Sequence, residues 1–134
     1  MKPEKYPMIE RALKWLIIML LVEFILGVLL STVINYHPHN HSITQTTILI
    51  LHIVIAIALI IGSIAHAITS HSSHLLGAKP YKGIVFILTA VIAGSISADN
   101  GNSLAVLIMA LGFGAAITNY GLSYIKIKTL TAAK

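Results

Sequence analysis

Four stretches of the chain stay apolar for longer than a strand or core helix of a water-soluble fold requires. They run from about 13–34, 47–70, 81–98 and 103–125, with polar residues gathered between them rather than alternating within them. Crossing a bilayer takes roughly 17–25 apolar residues as a helix. Lipid offers the backbone no hydrogen-bond partner, so runs of this length predict helices even where they are rich in Ile and Val. The pattern predicts an all-α fold: a single domain, 1–134, forming an integral membrane four-helix bundle. The breaks are clear. Residues 36–46 read YHPHNHSITQT, with Pro38 and no fixed charge, and residues 71–80 read HSSHLLGAKP. Asp99-Asn100-Gly101-Asn102 suits a tight turn, which makes the third and fourth helices an antiparallel hairpin. No internal repeat or low-complexity tract is visible.

Composition adds the solvent. The chain is 57% hydrophobic and 10% charged, with a mean hydropathy of +0.89, whereas soluble domains carry about 25% charged residues. The expected surroundings are a lipid bilayer. The net charge of +5 does not point to nucleic acid, because the basic residues flank apolar runs instead of forming a patch. Their placement sets the expected orientation. Lys2, Lys5, Arg11 and Lys14 precede or begin the first run, Lys79 and Lys82 lie between the second and third, and Lys126, Lys128 and Lys134 follow the fourth. All nine fall on one side, so the positive-inside rule puts both termini in the cytoplasm of a multi-pass cell-membrane protein. Trp15, Tyr81 and Tyr124 then sit near the inner interface and Tyr36 near the outer. The first run has the basic flank of a signal peptide but is long and lacks an A-x-A-like site, so it reads as retained. With no cysteine, disulfides, cysteine-ligated iron–sulfur clusters and c-type haem attachment are excluded.

Three features carry candidate chemistry. Glu23 stands midway along the first run, where a carboxylate costs about 2.5–3.5 kcal/mol by insertion scales and is by default a functional candidate. Depth counted from the cytoplasmic ends sets it level with Ser63 and, loosely, Asn119. These residues form either a proton or cation site or a polar staple between helices, with Tyr120 a further partner. On the second run, His52 and His66 are fourteen residues apart, hence about 40° apart around a helix and about 21 Å apart along it. Ala56, Leu59 and Ser63 lie between them and Ser70 extends the line, a strip better suited to protein or cofactor than to lipid. That spacing resembles the H-x13-H pattern on helices of di-haem b-type cytochromes, which implies haem b ligands. It departs from them in lacking opposite histidines on the other runs. Met109, near the level of His52, and Met19, near that of His66, are candidate substitutes, as is a parallel homodimer that pairs each histidine with its copy. The third feature is His37-Pro38-His39-Asn40-His41, where alternate imidazoles can converge on Zn²⁺ or Cu²⁺, the competing reading being a solvated loop. His71 and His74 form a weaker pair, and Asn40-His41-Ser42 is an N-x-S acceptor sequence. Small residues fill the last two runs (Ala90, Ala93, Gly94, Ser95 and Ser97; Ala110, Gly112, Gly114, Ala115 and Ala116), which predicts close packing within the bundle or a subunit contact.

The order of motifs resembles a group of small four-helix membrane proteins of archaea and bacteria: E-F-x-L-G at Glu23 to Gly27, Leu51-His52, and N-S-x5-M-A-x-G-F at Asn102 to Phe113. That resemblance implies the architecture and no particular chemistry. Small multidrug transporters are similar in having four short helices and a glutamate in the first, but their tryptophan-bearing third helix has no counterpart here. No nucleophile motif, phosphate-binding glycine loop or paired carboxylate suggests an enzyme. Function is expected in one of three classes: a haem- or quinone-associated electron-transfer component, alone or as a subunit of a membrane complex; a proton-coupled transporter centred on Glu23; or an accessory subunit.

Overall fold

The computed structural model describes residues 5–36, 43–71, 76–100 and 102–132. They form four helices, α1 (Lys5–Tyr36), α2 (Ile43–His71), α3 (Lys79–Asn100) and α4 (Ser103–Ala132). Each is long and apolar enough to cross a membrane. The helices alternate in direction and pack as a four-sided bundle in which α1 lies between α2 and α4, and α3 lies between the same two on the opposite side. One end carries both chain termini and the connection from α2 to α3. The other, here the loop end, carries the connections from α1 to α2 and from α3 to α4.

The bundle is inverted relative to a soluble one. Ile53, Ile57, Ile61, Ile64 and Ile68 of α2 are exposed, while Glu23, Ser63, His66, Ser70 and Ser123 are buried. The inward face of α1 is a single stripe, Ile9, Leu13, Leu16, Leu20, Glu23, Gly27 and Leu30. Its alternating steps of three and four suit helices packed nearly parallel with small crossing angles. On α2 the strip Ala56, Leu59, Ser63, His66 and Ser70 is buried throughout.

The first helix starts earlier than the apolar run suggests. Among the described residues its apolar segment begins at Pro7 and not at Leu13, because Arg11 is exposed on its outward face while Ile9 and Leu13 are buried. A charged pair in the sequence looks like a boundary, but on a helix it occupies only one side. The fourth helix likewise runs on past 125, with Ile127 fully buried between exposed Lys126 and Lys128.

Local chemistry sets the ends. At the start of α4, the Asn102 side-chain carbonyl accepts from Leu104 N at 2.9 Å and Ala105 N at 3.4 Å, an N-cap that satisfies otherwise orphaned donors. Ahead of α3, Gly77 takes φ 54°, a left-handed conformation that costs glycine little, and the chain turns there with Lys79 N donating to Leu76 O at 3.2 Å.

The closest helix pair is α3–α4, where the small residues meet: Ala90, Ala93 and Ala116 are buried, while Ser95 and Gly114 face outward. A Cβ on Gly112 would lie 3.0 Å from Ala90 Cβ and 3.1 Å from the Phe86 carbonyl oxygen, and one on Gly83 would fall within the Tyr120 ring. Nothing lies within 4 Å of a Cβ built on Gly114 or Gly121. Gly83→Ala and Gly112→Ala are therefore expected to destabilise the detergent-solubilised protein by about 1–3 kcal/mol. Gly114→Ala and Gly121→Ala should leave the melting midpoint unchanged or raise it. Equal losses at all four positions would show that helix approach is not what these glycines provide.

Candidate functional site

Three helices bring their chemistry-bearing side chains together in the half of the bundle nearer the loop end. Glu23 lies eighteen residues after Lys5 and thirteen before Tyr36 on α1, and sixteen after Pro7, where counting from Leu13 gives ten. Because the helices run antiparallel, this earlier start of α1 slides Glu23 past Ser63 and opposite His52. The His52 Nδ1 atom is 3.0 Å from Glu23 Oε1; the glutamate side chain is fully buried and the histidine 16% exposed. The approach has the distance of an ion pair without the alignment of a hydrogen bond. Both carboxylate oxygens are buried with no hydrogen-bond partner among the described residues.

Met109 of α4 completes the group. Positions built as Cβ on Gly27 and on Gly94 would lie 3.6 and 3.1 Å from its sulfur, and 3.6 and 4.0 Å from ring atoms of His52. The two glycines thus make the room in which α1 and α3 admit the imidazole and thioether. The expected level of Met109 with His52 is the level at which the structure places it. On the His52 ring, Nδ1 faces the carboxylate and Nε2 lies toward α3. This division suits an imidazole that offers one nitrogen to a ligand while a carboxylate fixes the other.

These side chains line a cavity of about 390 Å³ that reaches Glu23 and Gly27 on α1, His52, Ala56 and Ile57 on α2, Gly94 and Ser95 on α3, and Met109 and Phe113 on α4. Its walls are mainly apolar, and Ser95, Ser97 and Ser103 add hydroxyls on the side toward the loop end. Toward the termini, Leu20, Leu59, Ile87 and Phe113 are buried almost completely, a continuous apolar layer.

The remaining expected residues lie elsewhere. Ser63 donates its hydroxyl to Ile60 O at 2.8 Å, and Asn119 donates its amide to Lys79 O at 2.8 Å, tying α4 to the start of α3. His66 is buried with its ring edge-on to Tyr120, the centroids 5.8 Å apart, and its Nε2 is 3.4 Å from the Ser70 hydroxyl. With Met19 it lines a second cavity, about 300 Å³, between α1 and α2. His52 and His66 of α2 therefore serve separate cavities, the first reaching all four helices and the second lined by α1 and α2 alone. His37, His39 and His41, with Asn40 and His74, lie outside the described residues. Among the described residues no three His, Cys, Asp or Glu side chains gather into a metal site. Sequence reasoning missed Gly27 and Gly94 as wall-forming residues. Gly27 closes the E-F-x-L-G motif, four residues after Glu23 and on its face, which was the available signal.

No protein-family model matches the chain, nor does any curated protein or solved structure.

A buried acid with no hydrogen bond is a poor structural staple, since replacing a buried ion pair by apolar side chains is often neutral or stabilising. Replacing both partners, Glu23→Met with His52→Leu, is expected to leave the thermal midpoint in detergent unchanged or higher. A loss of more than about 2 kcal/mol would show that the pair holds the bundle together.

Proposed function

We propose that the chain is a cell-membrane protein of four spans with both termini cytoplasmic, and that it is an electron-transfer-associated component. In this reading its loop-end cavity holds a lipophilic redox group of the haem or quinone class against His52. The observation that carries the reading is the Glu23–His52 contact at the floor of an apolar cavity. His52 is the ligand-facing group, through Nε2; Glu23 is a positioning residue that fixes the other ring nitrogen and holds a proton close by. The resemblance to small four-helix membrane proteins supports the architecture, and the nine basic residues gathered on one side support the orientation.

The second reading is a proton-coupled carrier centred on Glu23. It is favoured by the same carboxylate's burial without a hydrogen bond, since intramembrane carboxyls of this kind mark proton and ion pathways.

Because the chain has no cysteine, orientation is directly testable. A cysteine at Thr46, exposed at the start of α2, is expected to react with a membrane-impermeant thiol reagent added to intact cells, and one at Lys128 only after permeabilisation; the reverse pattern would invert the topology. For the cofactor, protein purified in mild detergent is expected to show a b-type reduced-minus-oxidised band or to release a quinone on solvent extraction. Either signal should disappear in a folded His52→Ala variant. A protein with neither, even after haem and quinone are added, would exclude this reading and leave proton flux through Glu23 to be measured.

A further inference from the structure

Resting on the electron-transfer reading, we infer that the cavity is a site for a quinone or its quinol, which reaches it from the bilayer between α2 and α3 and seats its head group against Glu23 and His52.

Charge is the first ground. Among the described residues, Glu23 and His52 are the only ionisable side chains lining the cavity. An acid and an imidazole 3.0 Å apart can offset one another's charge without any contribution from an occupant. A neutral occupant fits such a site, whereas an organic cation or an anion would need an uncompensated charge.

Hydrogen bonding is the second. Glu23 is fully buried and, beyond the contact of Oε1 with His52, neither oxygen has a hydrogen-bond partner among the described residues, an arrangement that costs free energy unless something in the cavity completes it. A quinone carbonyl accepts a hydrogen bond from an N–H or O–H of the pair, and a quinol hydroxyl donates one to the carboxylate. The same two residues therefore serve both forms, and binding itself moves no electron and breaks no bond.

Shape is the third. The volume of about 390 Å³ falls near the lower end of the range for small-molecule sites, about 300–1,000 Å³. That suits a one- or two-ring head group. A stacked pair of haems along α2 is disfavoured, because His66 lines the other cavity. On the side of His52 toward α3 and α4, the Met109 sulfur packs against Gly94, which leaves the open space of the cavity toward the α2–α3 seam.

Access is the fourth. Ile53 and Ile57 line the cavity and yet are 48% and 53% exposed on the outside of the bundle, and Ser95 opposite them is also exposed. The α2–α3 seam is packed more sparsely than α3–α4. An isoprenoid tail leaving the head group along this seam remains in contact with isoleucine and lipid and never crosses water.

The test uses the full chain in detergent micelles, titrated by calorimetry with a short-chain naphthoquinone and, separately, with haemin and with tetraphenylphosphonium. Saturable one-to-one binding of the naphthoquinone is expected. Loss of a hydrogen bond to the buried pair should weaken it about tenfold or more in Glu23→Leu and His52→Leu. Ser95→Trp, at an outward-facing position that leaves the core untouched, should weaken it comparably by closing the seam, and Ile61→Leu, outside the cavity, should not. Naphthoquinone binding that survives all three cavity variants would overturn the site, and survival in Ser95→Trp alone would overturn the route. Haemin binding with a Soret band lost in His52→Leu, and no quinone bound, would overturn this inference while keeping the electron-transfer reading. Tetraphenylphosphonium binding that requires Glu23, with neither quinone nor haemin bound, would overturn both.

Discussion

A carboxyl group placed inside a bundle that must be apolar outside fixes more of this molecule than any hydrophobic contact. Leu for Ile at most positions would change packing slightly. Glu23 admits few alternatives, because a rotation of α1 that turned it toward the exterior would leave it among the exposed Ile25, Val28 and Leu29. Its inward position dictates the rest in turn. His52 must arrive opposite it, which sets the register of α2 on α1. Gly27 and Gly94 must lack side chains so that the imidazole and the Met109 thioether have room. The cavity at the loop end is then a result of that arrangement, with the two bare glycines leaving space beside the polar pair.

The two halves of the bundle illustrate different solutions to packing without water. Hydrophobic burial does not drive helices together in lipid, so close backbone approach and polar contacts carry more of the association. The α3–α4 pair uses approach, with Gly112 against Ala90 and Gly83 beneath Tyr120. The α1–α2 pair uses the Glu23–His52 contact and keeps bulky side chains such as Leu16 against Gly62. The first solution gives a tight seam, and the second leaves space beside it.

Much of this was legible in the sequence, and the rest was not for physical reasons. Long apolar runs specify helices, and the small and polar strip of α2 through Ala56, Leu59, Ser63 and Ser70 is inward-facing as its composition suggests. Periodicity around one helix is a local property and can be read from one segment. The level of one helix against another is not local. Counting depth from the start of the apolar run at Leu13, when the helix begins earlier, matched Glu23 with Ser63 and Asn119 instead of with His52. The side chain of Asn119 instead meets the first residue of α3, a tie between distant segments that nothing in either one announces. The pairing of Met109 with His52 emerged from counting along helices two and four, whose levels were less disturbed.

The apolar layer beneath the site has an electrical consequence. Leu20, Leu59, Ile87 and Phe113 separate Glu23 from the end bearing the termini, while Ser95, Ser97 and Ser103 lead from it to the loop end. In an energised bilayer nearly all of the voltage falls across the layer without water or polar groups. Glu23 lies on the loop-end side of that layer, so only a minor part of such a voltage would fall between it and the loop end. A charge resting at Glu23 is then electrically closer to the loop end than to the end that bears the termini.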